Sequence, residues 1–313
     1  MLYRNKKIAL IVPCYNEETT IKKVINDFKQ AMPEMDVYVF DNMSKDHTKK
    51  FAIEAGAKVC DVNEKGKGNV VRRMFADVEA DIYVMVDGDA TYEASAVSKL
   101  VDLIIEENMD MVVGCRTVSE DIASKAYRVG HQFGNKMLTK SVTTIFGGKF
   151  TDMLSGYRAF SRRYVKSFPA LSRGFETETE LTVHALELRM PYGEVSTTYL
   201  DRPDGSESKL STYRDGINIL KTIIRLFMRE KPLIFFGLFS IFFFVMSVFF
   251  AIPVFYDYLE TGLVPKLPTA VLSAALMIAS FVSLSCGLIL DCITIARQET
   301  KRLSYLSVKS NQQ

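Results

Sequence analysis

Two stretches of this chain carry no charge and are each long enough to cross a bilayer. "PLIFFGLFSIFFFVMSVFFAIPVFY" runs 25 residues from Pro232 to Tyr256, and the segment Leu267 to Leu290 runs 24. A helix spanning the hydrocarbon core needs about 20 apolar residues. Both segments therefore read as spans, with Pro253 a candidate kink near the end of the first. The alternative, a pair of buried helices in a soluble domain, fits poorly with runs this long and this rich in Phe. Ten residues, "DYLETGLVPK", separate the two, so they form a hairpin. That loop sets Asp257 and Glu260 against Lys266, whereas the outer flanks carry Arg225, Arg229 and Lys231 before, and Arg297, Lys301 and Arg302 after. Lys and Arg accumulate on the cytoplasmic side of membrane proteins. The expectation is a multi-pass protein of the inner (cytoplasmic) membrane, with both chain ends and the large N-terminal part in the cytoplasm. The spans hold no interior charge, which argues against an ion path.

The chain enters the first span through an amphipathic segment. Leu210, Tyr213, Ile217, Leu220, Ile224 and Phe227 recur at helical spacing, with Lys209, Arg214, Lys221, Arg225 and Arg229 interleaved. That is the pattern of a helix lying in the membrane interface. A second such segment, 133–146, sets Met137, Leu138, Val142 and Ile145 beside Lys136 and Lys140. It reads equally as interfacial helix or as core.

Composition removes several function classes. Lys plus Arg is 39 and Asp plus Glu 37 in 313 residues, so no global charge favours nucleic acid. Five cysteines, none in a C-x-x-C pair, fit a reducing compartment and no Cys-based zinc site. The basic start and short apolar run Ile8 to Val12 resemble a signal peptide, but the run is too short and Glu17 and Glu18 follow. It reads as a first strand.

From that strand to residue 115 the pattern alternates. "KIALIVP", "DVYVFD", "AKVCDV", "DIYVMVD" and "MDMVVGC" read as strands, separated by helices over 17–31, 46–55, 69–78 and 94–107. Such alternation predicts an α/β domain around a mostly parallel sheet. Its ligands bind at the carboxyl ends of the strands. Four segments would share that rim: 13–17, 41–44, 87–89 and 114–116.

"VDGD" places Asp87 and Asp89 there with only Gly88 between them. A D-x-D can be a turn with solvated acids, a general acid/base pair, or oxygen ligands for a hard divalent cation. A metal would offset the repulsion between the two carboxylates. The dinucleotide fingerprint G-x-G-x-x-G is missing after the first strand, where "PCYNEE" stands, and no P-loop occurs.

Taken in order, "IVPCYNEE", "VFDNMSKDHT", "VMVDGDATY" and "VVGCR" resemble the family 2 glycosyltransferases with the GT-A fold. "FTDMLSGYRAFSRR", "GFETETEL" and "TTYLDRPDGSESKL" extend the resemblance to the polyprenyl-phosphate branch, the dolichyl-phosphate mannose and glucose enzymes and the bactoprenol glucosyltransferases. The resemblance covers essentially the whole chain. It implies a GT-A catalytic domain over 1–208, a juxtamembrane helix over 209–231, a transmembrane hairpin over 232–296 and a cytoplasmic tail over 297–313.

It also implies roles. Pro13, Tyr15, Glu17 and Asp41 match donor-nucleotide positions, Asp87 the diphosphate, and Asp87 with Asp89 a Mg2+ or Mn2+ ion. Asn42 and Met43 depart from the family's D-D-G-S turn, and Thr91 stands where another metal ligand is common. Lys67 in "EKGKGNVVRR" either approaches the donor or is a solvated lysine on a turn softened by glycine. Arg116, Arg128, Ser155, Arg158, Arg202 and Lys209 match acceptor-phosphate positions, and Asp87, Asp89, Arg116 and Asp152 are the catalytic candidates. Glu176, Glu178 and Glu180 alternate, so a helix would not turn all three to one side.

The expected reaction moves a sugar, with inversion, from a nucleotide diphosphate sugar to undecaprenyl phosphate. A UDP-hexose or UDP-N-acetylhexosamine is the expected donor, and the family includes tetramers. A processive polysaccharide synthase is the nearest alternative, but its Q-x-x-R-W motif needs a Trp and this chain has none. A catalytically inactive, membrane-tethered nucleotide-sugar-binding protein is the other.

Overall fold

The computed structural model describes residues 2–117, 129–174, 176–203 and 212–309. They form two compact units, residues 1–223 with 301–313, and residues 224–300.

In the first unit β1 (Ile8–Cys14), α1 (Ile21–Ala31), β2 (Asp36–Asp41), α2 (Thr48–Glu54), β3 (Lys58–Asp61), α3 (Lys67–Asp77), β4 (Ile82–Met85), α4 (Val97–Glu106) and β5 (Met111–Thr117) alternate as the apolar pattern predicts. Then follow α5 (Val129–Phe146), β6 (Arg158–Ser161), α6 (Arg162–Ser167), α7 (Thr177–Glu187) and β7 (Tyr192–Thr198). The sheet order is β3-β2-β1-β4-β6-β5-β7. Every described pairing is parallel except those of β6, which runs against β4 and β5.

Both faces of the sheet are covered, so β1 is apolar throughout rather than alternating. Ile8, Leu10 and Val12 face α1 and α4, packing with Ile21, Ile25, Phe28, Leu100 and Ile104. Ala9 and Ile11 face the other layer with Val70, Met74, Phe75, Tyr164 and Leu181. Helix α1 forms because Ile21, Val24, Ile25 and Phe28 fall on one face at 3- and 4-residue spacing. Ser161 starts α6, its hydroxyl accepting the Tyr164 N–H at 3.1 Å. Helix α5 contributes Leu138 and Val142 to the interior and leaves Met137 exposed, so it is at least in part a core helix.

The chain continues as α8 (Thr212–Glu230), α9 (Pro232–Thr261) and α10 (Leu267–Ser307). Along α8, Ile217, Leu220, Ile224 and Met228 form an exposed apolar stripe. Helices α9 and α10 are long and apolar enough to cross a membrane. Helix α9 runs through Pro253 and ends at Gly262, whose φ of 68° is the left-handed cap that glycine supplies. Small residues recur every seventh position of α10, at Ser273, Ser280, Gly287 and Thr294, and all are buried. Ser280 donates to the Ser240 carbonyl at 2.9 Å, and Ser273 to that of Ser247 at 3.1 Å. A Cβ on Gly287 would lie 3.2 Å from that of Phe236. Small residues let apolar helices approach where no hydrophobic drive between them exists. The expected tail begins as the last turns of α10. Within the first unit, Tyr305 donates to Asp110 at 2.7 Å, Lys301 pairs with Glu187 at 2.7 Å and Arg163 donates to the Val308 carbonyl at 2.9 Å.

Candidate active site

The strand order reverses at β1, between β2 and β4, and a ligand crevice opens at such a point. Four parallel strands send their carboxyl ends to this rim: β1 to Tyr15 and Glu17, β2 to Asp41, β4 to Asp87 and Asp89, and β5 to Arg116. The reversed β6 brings the residues before it, Asp152 to Gly156, to the same rim. Strand β7 then delivers Tyr199 to Arg202. Leu200 N–H donates to the Thr91 carbonyl at 2.9 Å, which fixes that last segment beside the D-x-D.

Asp87 and Asp89 are each met by a cation. Lys67 Nζ lies 2.6 Å from Asp87 Oδ1 and 2.5 Å from Glu178 Oε1. Burial works to lower the Lys67 ammonium's pKa, but Asp87 and Glu178 outweigh it and leave it above the ordinary lysine value. The glycines of "GKG" explain how Lys67 gets there. A Cβ at Gly66 would lie 2.2 Å from the Arg173 carbonyl oxygen, and one at Gly68 2.2 Å from that of Ser172. Only glycine lets the start of α3 lie against that backbone. Asn42, the departure from the family turn, ties the same loop down. Its amide donates to Glu64 O at 2.7 Å and accepts from Gly66 N at 2.7 Å.

Asp89 accepts from Arg202 Nη2 at 2.6 Å on one oxygen and from the Thr91 hydroxyl at 2.6 Å on the other. Thr91 is thus a buried support for Asp89. Burial pushes the Asp89 carboxyl up, Asp87 adds to that, and Arg202 only partly opposes it. Ala90, between them, has φ of 58°, a left-handed conformation that costs a residue with a Cβ. Gly156 packs directly on Asp87 and donates to the Tyr92 hydroxyl at 2.9 Å.

Two hard carboxylate donors at the carboxyl end of β4, one residue apart, suit a divalent cation. No third His, Cys, Asp or Glu joins them among the described residues, so the rest of an oxygen shell would come from ligand and water.

Around this centre the other candidates separate. Arg116 clasps Asp152 through two bonds, at 2.6 and 2.8 Å, with Asn135 adding a third to Asp152 at 2.8 Å. Burial works against the Asp152 carboxylate, yet Arg116 and Asn135 hold its pKa below the usual range. Pro13 is buried within β1, and Asp41 is buried with Oδ1 unpartnered and Oδ2 accepting from Ser44 N at 3.2 Å. Glu17 is buried, and Thr20 bridges it to the Gly88 carbonyl. Tyr15 stacks under Lys65, whose Nζ is 4.9 Å from the ring centre.

Ser155 and Arg158 correct the expectation drawn from "LSGYR". Both are fully buried. Ser155 donates to the Gly114 carbonyl at 2.6 Å, and Arg158 donates to Ser155 O at 2.9 Å, to Thr182 Oγ1 at 3.0 Å and to the Met153 carbonyl. They brace the loop before β6 from the interior. Arg128 and Lys209 lie outside the described residues.

Of the three alternating glutamates only Glu178 turns to the acids. Glu180 accepts from the amides of Leu171 and Ser172, and Glu176 from those of Arg173 and Gly174. Asn135 had no local signal, because the fold brings it in from α5, and nothing local set Glu178 apart from its neighbouring glutamates or aimed Gly156 at Asp87.

Residues 9–168 match the family described as Glycosyl transferase family 2. Glycosyltransferase AglJ of Haloferax volcanii is 33% identical over 301 residues, 96% of this chain and 98% of that one. The undecaprenyl-phosphate mannosyltransferase of Micrococcus luteus is 25% identical over 221 residues, covering 66% and 88%. Glucosyl-3-phosphoglycerate synthase of Mycobacterium tuberculosis, crystallised with Mn2+ and UDP-glucose, shares the fold with a TM-score of 0.55 at 23% identity, over 70% of this chain and 79% of that one. The chain belongs to glycosyl transferase family 2, as a glycosyltransferase on the GT-A fold.

Proposed function

We propose that the protein transfers a hexose or N-acetylhexosamine from a nucleotide diphosphate sugar to undecaprenyl phosphate at the cytoplasmic face of the membrane. One observation carries this reading. The D-x-D acids sit on the sheet rim with Arg202 paired to Asp89 and Arg116 paired to Asp152 on the same rim, in a chain that goes on to two helices fit to span a bilayer. The relative from Micrococcus luteus is named for an undecaprenyl-phosphate acceptor, and the synthase from Mycobacterium tuberculosis was crystallised with a uridine nucleotide sugar. Both support the choice of substrates.

Asp87 and Asp89 would hold Mg2+ or Mn2+, which when bound neutralises the departing diphosphate. Pro13, Tyr15, Glu17 and Asp41 line the nucleotide side of the rim. Lys67 holds Asp87 in place. Arg116, oriented by Asp152, and Arg202 draw in the acceptor phosphate, a task suited to guanidinium. A phosphate oxygen of the lipid forms the new bond to the anomeric carbon, the bond from that carbon to the diphosphate breaks, and the configuration inverts. A phosphomonoester, with a second pKa of about 6, is already largely ionised at neutral pH. No residue has to take a proton from it, so positioning and charge neutralisation carry the catalysis.

The test is incubation of the purified chain with undecaprenyl phosphate, Mg2+ and a panel of radiolabelled nucleotide sugars. A labelled lipid is expected from one donor and lost in Asp89→Asn. Full glycolipid synthesis by that variant would rule out the metal role.

A further inference from the structure

The proposed function gives Asp89 a divalent cation and Arg202 the acceptor phosphate, yet in the structure these two side chains hold each other. Arg202 Nη2 is 2.6 Å from Asp89 Oδ2, in a pair whose side chains are 27% and 10% exposed. Thr91 fixes the other Asp89 oxygen through its hydroxyl at 2.6 Å. A divalent cation held by Asp89 would stand beside the Arg202 guanidinium, and two cations on one part-buried carboxylate repel each other.

Asp87 has an internal cation too, but the two differ in how they are held. Lys67 is only 11% exposed, shared with a second acid, Glu178, and carried on a helix start locked by Gly66 and Gly68 against neighbouring backbone. Arg202 is more exposed and stands just past the end of β7. Its segment is pinned to the D-x-D loop two residues earlier, by the Leu200 N–H on the Thr91 carbonyl and by the bridge between Tyr92 and Tyr199. The backbone is therefore held in place there. Of the two internal cations, Arg202 is the more exposed and lies past the end of its strand, which makes it the one open to exchange.

We propose that Arg202 is a resident counter-cation of Asp89, displaced when a divalent cation and the donor diphosphate load, and that its release delivers the guanidinium to the acceptor phosphate. The chain then couples donor loading to acceptor capture, and the donor binds first. This rests on the metal and acceptor roles proposed above. It adds a positioning role for Arg202 that those roles do not require.

The test reads metal affinity with no substrate present. Mn2+ is titrated into the full chain in detergent and free ion is followed by electron paramagnetic resonance, for wild type, Arg202→Gln, Arg202→Lys and Asp89→Asn. Arg202→Gln removes the competitor and should bind Mn2+ about three- to tenfold more tightly, as loss of one part-buried ion pair allows. Arg202→Lys keeps a positive charge beside Asp89 and should stay near wild type, which separates charge competition from lost packing. In transfer assays Arg202→Gln should raise the KM for undecaprenyl phosphate and leave that for the donor little changed. Equal or weaker Mn2+ binding by Arg202→Gln, with binding lost in Asp89→Asn, overturns the exchange and leaves the metal site standing. Undiminished binding by Asp89→Asn overturns the metal site itself, and the exchange with it.

Discussion

Gly156→Ala tests whether the position of Asp87 governs turnover. A Cβ at residue 156 would lie 2.3 Å from Asp87 Oδ2 and 2.9 Å from its Cγ, where real Cβ contacts do not fall under 3.0 Å. The carboxylate must therefore move by roughly 1 Å, because an ordinary van der Waals contact needs that much more room. Its other oxygen is 2.6 Å from Lys67 Nζ, so the move also disturbs that pair. The obstacle is the end of a side chain, not backbone, so the fold yields at a cost of about 1–2 kcal/mol, typical of overpacking. A misplacement of about 1 Å at a reacting centre costs about 100-fold in rate. The expected variant melts within a few degrees of wild type yet transfers sugar about 100-fold more slowly. Glycolipid formation from radiolabelled donor measures the rate, and a thermal melt in detergent measures stability. Gly134→Ala is the control, because a Cβ there meets nothing within 4 Å. It should leave turnover alone and be neutral or slightly stabilising in α5. A Gly156→Ala enzyme working within about threefold of wild type would refute the reasoning, since the expected loss is about 100-fold.

Three further outcomes follow from buried groups. Arg158→Lys should leave the Met153 and Ser155 carbonyls short of donors and cost about 2–4 kcal/mol. Melting then falls by several degrees with the acceptor KM unchanged; a raised KM at unchanged stability would return Arg158 to the acceptor site. Lys67→Met should strand Asp87 and Glu178 without their shared cation and cost about 3–5 kcal/mol in a denaturant or thermal titration; an unaltered melt would show the trio to be loosely solvated. His184 is buried and its pKa is lowered to about 3, by burial first and then by Lys301, against an opposing pull from Glu187. Between that value and an unfolded pKa of about 6.5 the unfolded chain binds a proton that the folded chain does not, so stability is full above the window and falls as pH drops, by up to about 1.4 kcal/mol per unit. By pH 5 the loss is about 2 kcal/mol. Melting of wild type from pH 7.5 to 5 should drop more steeply than that of His184→Gln, and parallel slopes would exclude His184 as the cause.

Local pattern alone specified most of the architecture, because it depends on periodicities a few residues long. The apolar runs at 232–256 and 267–290 became α9 and α10, and the alternation from residue 7 to residue 115 became five strands and four helices in the expected places. Asp87 and Asp89 were legible for the same reason, since a strand's apolar run ends where its sheet's ligand rim begins. The seven-residue spacing of Ser273, Ser280, Gly287 and Thr294 was equally local and is readable once a helix pair is assumed.

What surrounds the acids was decided only by the tertiary structure. Which of Glu176, Glu178 and Glu180 faces Lys67 depends on how α7 lies against α3, and no spacing within "FETETE" encodes that. Arg158 looked like a phosphate ligand from its neighbours in sequence, but β6 runs backwards between β4 and β5 and turns that side chain into the interior. The same reversal carries Gly156 onto Asp87 and Asp152 under Arg116. Arg202 reaches Asp89 across 113 residues of chain because β7 ends at the same rim. Strand order and direction set these contacts, and the free energy that fixes them comes from burial over the whole sheet, which no short window of residues contains.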